Sequence, residues 1–306
     1  MMGNQSSYEV CKLLIVIPHF FKETRGGTGY GSGQEGARLK RSIALARCLH
    51  SLRLQRRSHS LALLNIKDKI IQCYTKEIRT GAKIINIEVD IHVFCNRDNM
   101  ISEVLDDYKN WVTVHNVDLE NPKLLPIAAR NWLINTEEEY KLYAYMEDDI
   151  VINDPFFFDK QLWFLEKTDH KAVLMPHRFE QNIEGEVAQF LVDGPLNSSF
   201  IEQFYMPMAN FAHGKWDPNE KELWFDRHAN PHSGCFTISH TQKNFLKQKP
   251  LRDNGFVTPL ETAATLTVME HFPVLKPSIR NHDFLLVEHA HPTFSGLLDQ
   301  WQKYYE

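Results

Sequence analysis

Residues 142–152 read LYAYMEDDIVI, and this stretch decides the fold. Residues 142–146 are all apolar or aromatic, a run that reads as a strand. Three carboxylates follow without a break: Glu147, Asp148 and Asp149. Like charges at that spacing repel and raise one another's pKa, so the run is costly unless a cation neutralises it. Residues 150–152 turn apolar again, which argues against a freely solvated turn, the plain structural alternative. Hard carboxylate oxygens suit Mg2+ or Mn2+. In open α/β sheets, ligands gather beyond the carboxyl ends of the strands. A strand that delivers three acids to that edge marks the expected place of a metal–phosphate site.

On the N-terminal side, residues 13–17 (LLIVI) form a second fully apolar run, ended by Pro18, which cannot donate to a sheet ladder. A glycine-rich segment, residues 26–33, separates it from a helix starting near Ala37, with Leu39, Ile43, Ala46 and Leu49 on its apolar face. A second helix is expected around residues 61–80, and others over 126–135 and 258–271. Further strands are expected at 84–95, 111–117, 172–175, 236–238 and 284–287. Strands alternating with helices predict an α/β fold: an open, mostly parallel sheet flanked by helices. Residues 1–9 read as a disordered polar tail. Residues 10–306 read as one domain, with a nucleotide-sugar-binding half (10–155) and an irregular, acceptor-binding half (156–306).

The chain has 306 residues, 43% hydrophobic and 24% charged, enough to build a real core. Its net charge of −5 gives no global basic field, which disfavours nucleic acid as a partner. Arg53, Arg56 and Arg57 form a local basic patch that suits a phosphate or an anionic lipid, so peripheral membrane contact stays open beside the plainer reading of a solvated helix end. Five cysteines, at 11, 48, 73, 95 and 235, include no CxxC pair and read as buried free thiols. No apolar stretch approaches the ~18 residues of a membrane span. The expected location is cytoplasmic.

Residues 128–133 (AARNWL), an acidic spacer, and residues 143–149 (YAYMEDD) resemble a pattern of the GT-A fold glycosyltransferases. There, a helix with an Ala-Ala-Arg-Asn-like start precedes a strand ending in an Asp-x-Asp-type motif. Residues 13–18 look like that superfamily's first nucleotide-binding strand, and Cys95-Asn96-Arg97 like a second loop that holds the nucleotide. The resemblance covers about residues 10–155 and assigns no subfamily. It implies a metal-dependent transferase that moves a sugar from a nucleoside-diphosphate sugar, UDP being the commoner donor, to an acceptor hydroxyl. On that reading Asp149 binds the metal, and Glu147 or Asp148 reaches the ribose or donor sugar. Pro18 and Asn96 border the nucleotide, and Arg130 lies near the diphosphate. Glu147 stands where the pattern usually has its first Asp, which leaves the division of labour among the acids open.

The chemistry asks for more groups. Leaving-group charge on a diphosphate is stabilised by a divalent cation and by fixed cationic or N–H donors, for which Arg25, Arg97 and Arg130 are candidates. The glycine-rich segment could offer backbone N–H groups, but it lacks the Gly-Lys-Ser/Thr ending of a P-loop. Glu261 follows Thr258-Pro259-Leu260 at an expected helix start: it is either a general base for the acceptor or a helix cap. His289 and His291 share one face of an extended segment, and either could be a metal ligand. Trp216, Trp224, His232 and Gly234 suggest a sugar-binding wall. A zinc site at His228 and His232 lacks a supporting motif and is interrupted by Pro231. A glycoside or phosphoester hydrolase, a non-catalytic carbohydrate- or nucleotide-binding protein and a sugar-nucleotide pyrophosphorylase remain alternatives.

Overall fold

The computed structural model describes residues 10–23, 33–57, 60–75, 86–182, 188–207 and 212–298. In chain order these give β1 (Val10–Pro18), α1 (Arg38–Gln55), β2 (Ser60–Asn65), β3 (Ile70–Thr75), β4 (Asn86–Asn96), α2 (Ser102–Asp107), β5 (Val112–Val117), α3 (Leu125–Asn135) and β6 (Leu142–Met146). Next come β7 (Ile150–Val151), α4 (Phe157–Lys167), β8 (Val173–Leu174), β9 (His177–Gln181), β10 (Gln189–Leu191), α5 (Ser198–Ile201), β11 (Ala212–Gly214) and β12 (Leu223–Asp226). The last elements are β13 (Cys235–Ser239), α6 (His240–Leu246), α7 (Pro259–Glu261), α8 (Thr267–Met269), β14 (Val274–Pro277) and β15 (Leu286–His289). A π-turn, Thr262–Leu266, joins α7 to α8.

The central sheet runs β13-β6-β1-β4-β5. β6, β1, β4 and β5 are parallel, and β13 closes one edge antiparallel to β6. This is the mixed α/β, parallel-rich architecture that the sequence predicts. Side chains along β1 alternate between two cores, as the two-residue period of a strand requires. Leu13, Ile15 and Ile17 join Leu45, Leu49, Phe158 and Phe164 on one face. Leu14 and Val16 join Leu133, Tyr143, Ala263 and Val268 on the other.

Register places the site. Val16 pairs with Tyr145 on β6, and Pro18 with Phe94 on β4, so the carboxyl ends of three parallel strands open onto one edge. A second sheet, β10-β9-β15-β7, reaches that edge from the side. In it His289 pairs with Ile150, one residue after the acidic triplet.

Three expectations need correction. Residues 61–80 hold no helix among the described residues; β2 and β3 form an antiparallel ribbon instead. Its two apolar runs are separated by a turn over 66–69 that Asn65 and Asp68 tie together, the side-chain-to-backbone bonding that favours turns over helix. The apolar face of α1 is also rotated: Leu39 and Ile43 are exposed, while Arg41, Leu45, Cys48, Leu49 and Leu52 are buried. Finally, Cys73 is exposed on the ribbon, whereas Cys11, Cys48, Cys95 and Cys235 are buried; none of the five is in a disulfide. Among the described residues, no helix is long and apolar enough to cross a membrane.

Candidate active site

The backbone of the acidic triplet is pinned from both sides. Glu147 N–H donates to the Gly234 carbonyl at 2.8 Å, and Ala290 N–H donates to the Asp149 carbonyl at 2.8 Å. These bonds fix the turn between β6 and β7 to β13 and to the end of β15. The three acids are only 6%, 7% and 8% exposed, so their charges are not handed to bulk water and must be met by the protein.

Each acid has a different set of neighbours. Arg41 spans two of them, donating Nη2 to Asp148 Oδ1 at 2.5 Å and Nη1 to Asp149 Oδ2 at 2.8 Å. His19, the residue after Pro18, places Nδ1 2.6 Å from Asp148 Oδ2 while its Nε2 accepts Ile101 N–H at 3.0 Å. Accepting at Nε2 fixes the tautomer, so Nδ1 carries the proton and donates to Asp148. His289 holds Nε2 3.5 Å from Asp149 Oδ2 and Nδ1 2.7 Å from Glu180 Oε1. Glu180 is itself held by the N–H groups of Thr293 and Phe294. Among the described residues Glu147 has no close partner: Arg178 Nη1 is 4.0 Å away and His232 Nε2 is 3.8 Å away, and its Oε1 is buried without a hydrogen bond.

The protonation pattern follows from these surroundings. Burial pushes the Glu147 carboxyl up to about 8, with Arg178 only partly opposing it. Burial also works against the charge on Asp148, but Arg41 and His19 outweigh it and hold the group below its ordinary value. For Asp149, His289 and Arg41 likewise overcome burial and hold the carboxyl far down. Burial opposes the His289 imidazolium, yet Asp149 and then Glu180 raise its pKa to about 9. Behind Glu147, Asp193 accepts from Arg178 at 2.9 Å and from Lys276 at 3.3 Å, and stays ionised despite burial, at about 2. Two neighbouring ionised acids beside one neutralised acid are chemically distinct groups in one small volume.

The other expected residues are dispersed differently. Pro18 and Asn96 lie at the shared strand edge, Asn96 bonding both the N–H and the carbonyl of Leu119. Arg97, with a left-handed φ of 54°, is exposed and paired with Asp118. Arg25 and residues 26–32 lie outside the described residues, as does the tail 1–9. Arg130 is fully buried and bonds Asn131, the Arg252 carbonyl, Thr267 and Asp253; these contacts tie α3 to the segment before α7. Glu261 closes a capping box with Thr258, and its charge is near enough to raise the Glu147 pKa. His291 is half-buried, its pKa lowered by burial and by Arg41, with Asp149 pulling the other way. His232 is buried, bonds Thr265 and faces Glu147. Gly234 has φ +66°, and a Cβ there would stand 2.9 Å from Ile150 Cδ1 and 3.1 Å from Glu147 Oε2. Trp216 packs edge-on against Trp163 and Phe284, a core role, while exposed Trp224 stacks on His213.

The sequence reading missed His19, Arg41, Arg178 and Glu180. His19 had a signal, since it directly follows a strand end. So did Arg41, which shares a four-residue spacing with Leu45 and Leu49. Arg178 and Glu180 arrive from β9, in a stretch where nothing local marks them. Among the described residues, no three His, Cys, Asp or Glu side chains are assembled as a metal cage.

No protein-family model matches the chain. No curated protein matches it either. Solved structures similar to it include S. aureus TarS 1–349, at 12% identity and a TM-score of 0.45, over 90% of this chain and 60% of that one. The same protein in complex with UDP matches at 11% identity, a TM-score of 0.45 and the same coverage. GalNAc-T7 with UDP, GalNAc and Mn2+ matches at 14% identity and a TM-score of 0.44, over 93% of this chain and 44% of that one. The chain thus spans less than two thirds of each. The likeness is remote, and the functional reading rests on the site itself.

Proposed function

We propose that the chain is a glycosyltransferase that moves a sugar from a nucleoside-diphosphate sugar, UDP favoured, to an acceptor hydroxyl. One observation carries the reading: three buried carboxylates at the carboxyl edge of a parallel sheet, where such sheets bind ligands, with Asp149 facing His289.

The residues fit a divalent cation, Mn2+ or Mg2+. Asp149 Oδ2 and His289 Nε2 stand 3.5 Å apart, close enough to share one ion that takes the place of the Nε2 proton, so binding would release that proton. Glu180 grips the other ring nitrogen of His289, the carboxylate–histidine pairing that orients a metal-binding imidazole. A carboxylate has about four lone-pair positions, so Asp149 can accept from Arg41 and still offer a ligand. Two protein ligands suffice where substrate phosphates and water complete the sphere. A cation bound there supplies charge stabilisation to the departing diphosphate.

The chain's own groups supply the rest. Arg41 and His19 hold Asp148 and Asp149 in place against their mutual repulsion. Glu147, uncharged and with a free acceptor oxygen, faces His232 and Gly234 and offers a hydrogen-bonding group to a sugar hydroxyl. Pro18, Asn96 and Arg97 border the nucleotide on the neighbouring strand ends. His291 lies beside the same charges as His289. Glu261 is the candidate base for the acceptor, and exposed Trp224 the candidate sugar-stacking face. Cysteines outside any disulfide fit a reducing, cytoplasmic setting.

The test is release of UDP from a panel of UDP-sugars by the purified protein with Mn2+. Release from at least one sugar, lost in Asp149→Asn, supports the proposal. Steady hydrolysis of simple glycosides or phosphoesters, with no UDP release, would assign the site to a hydrolase instead.

A further inference from the structure

Among the described residues, the β2–β3 ribbon carries several exposed apolar side chains. Leu63, Leu64, Ile66, Ile70 and Ile71 are 52%, 70%, 84%, 51% and 65% exposed. The pairing puts Leu64 opposite Ile71 on one face, and Ile70 opposite Asn65, beside Leu63, on the other. Ile66 sits in the turn at the tip. An isolated two-stranded ribbon is marginal in water, and apolar residues on both of its faces deepen the cost. A single protein surface would cover one face and leave the other wet. A medium that surrounds the tip covers both.

The charges around the ribbon name that medium. The turn carries Lys67 and Lys69, against one acid, Asp68, which is engaged by Asn65. Arg57, three residues before the ribbon, bridges to Ile87. Just before that point, Arg53 and Arg56 stand over the Trp111 ring at 3.7 and 6.0 Å, with Trp111 37% exposed. Lysines at an apolar tip and a tryptophan flanked by arginines match a lipid surface, where apolar groups enter the acyl boundary and cations meet phosphates.

We propose that the β2–β3 ribbon docks the protein on an anionic lipid surface. Among the described residues β2 and β3 pair only with each other, and outer-edge backbone groups cannot be left unsatisfied in hydrocarbon, so entry is shallow. The tip sits about 5–10 Å deep, at the headgroup boundary, with Lys67 and Lys69 reaching back to phosphate.

The experiment is sedimentation with vesicles of phosphatidylcholine alone and of phosphatidylcholine mixed with phosphatidylserine. The intact chain is expected to bind the mixed vesicles and to release as salt rises. Leu64→Ser/Ile66→Ser should weaken binding at least about tenfold, from the apolar area lost. Lys67→Gln/Lys69→Gln should weaken it on the mixed vesicles only. All four positions are solvent-exposed, so melting temperature should hold in both variants. Absence of vesicle binding, or equal binding by the Leu64→Ser/Ile66→Ser protein, would overturn the proposal. So would a concentration-dependent dimer that this variant dissolves without any vesicle binding, which would make a second copy of the chain the occupant.

Discussion

Replacing Arg41 with Met tests how the acidic triplet is tolerated. Met is about as good a helix former as Arg, so helix propensity is not the cause of any loss. Arg41 is 6% exposed and donates to Asp148 and Asp149 at 2.5 and 2.8 Å. Without it, both carboxylates keep their burial; Asp148 loses its main counter-charge, and Asp149 keeps only His289. Breaking a buried pair by removing one partner costs about 3–5 kcal/mol. At about 2 °C per kcal/mol, the low end appropriate to a long chain, the melting temperature should fall by roughly 6–10 °C. The assay is urea unfolding of Arg41→Met, Asp148→Asn and the double variant in metal-free buffer. Contact residues couple, so the double variant should be more stable than the sum of the singles by more than about 1 kcal/mol. A loss under about 1 kcal/mol, the response of an exposed pair, or additivity within about 0.5 kcal/mol, would refute the reasoning.

Four more expectations follow from the same geometry. His177 Nε2 donates to the Pro277 carbonyl, 2.7 Å away, and burial lowers its pKa from 6.5 to about 4. The unfolded chain therefore takes up that proton first, and stability should fall by about 3 kcal/mol as pH drops from about 6.5 to about 4. His177→Gln should flatten that limb in pH-dependent urea melts without removing it, because His232, lowered to about 3, adds to it. Gly234→Ala should cost about 1–3 kcal/mol from backbone strain, read by chemical unfolding. Thr258→Ala should lose about 1 kcal/mol of stability as a broken cap while UDP release continues. Glu261→Gln should slow transfer by about 10²–10⁴-fold if Glu261 is the base; unchanged turnover would leave it a cap only.

The frame of the fold was legible because it depends on local pattern. Residues 13–17 are apolar on both faces, and that alone demands a central place in a parallel sheet; residues 142–146 read as a strand. The acids were visible as a cost without a visible remedy. Their remedy is scattered: Arg41 on α1, His19 after β1, Glu180 and Arg178 on β9, His289 on β15. The rotated face of α1 shows why. Leu39 and Ile43 looked like core by hydropathy, yet the helix turns them outward so that an arginine can face inward to Asp148 and Asp149. Charge pairing across more than a hundred residues overrode local hydrophobic pattern, and no window of sequence contains it. The ribbon over 60–75 was misread for a related reason: its apolar residues meet no core, so periodicity had nothing to report.

The most direct test of the central claim is the thermal stability of the protein with UDP, with and without Mn2+, in the intact chain and in Asp149→Asn. A ligand at about 100 times its Kd adds roughly 2.7 kcal/mol, an easily measured rise in melting temperature. The proposed site predicts a rise that needs UDP and Mn2+ together and disappears in Asp149→Asn. An equal rise in Asp149→Asn would contradict the assignment of Asp149 as the metal-binding acid, and no rise with any nucleoside diphosphate under any metal condition would contradict the nucleotide-sugar site itself.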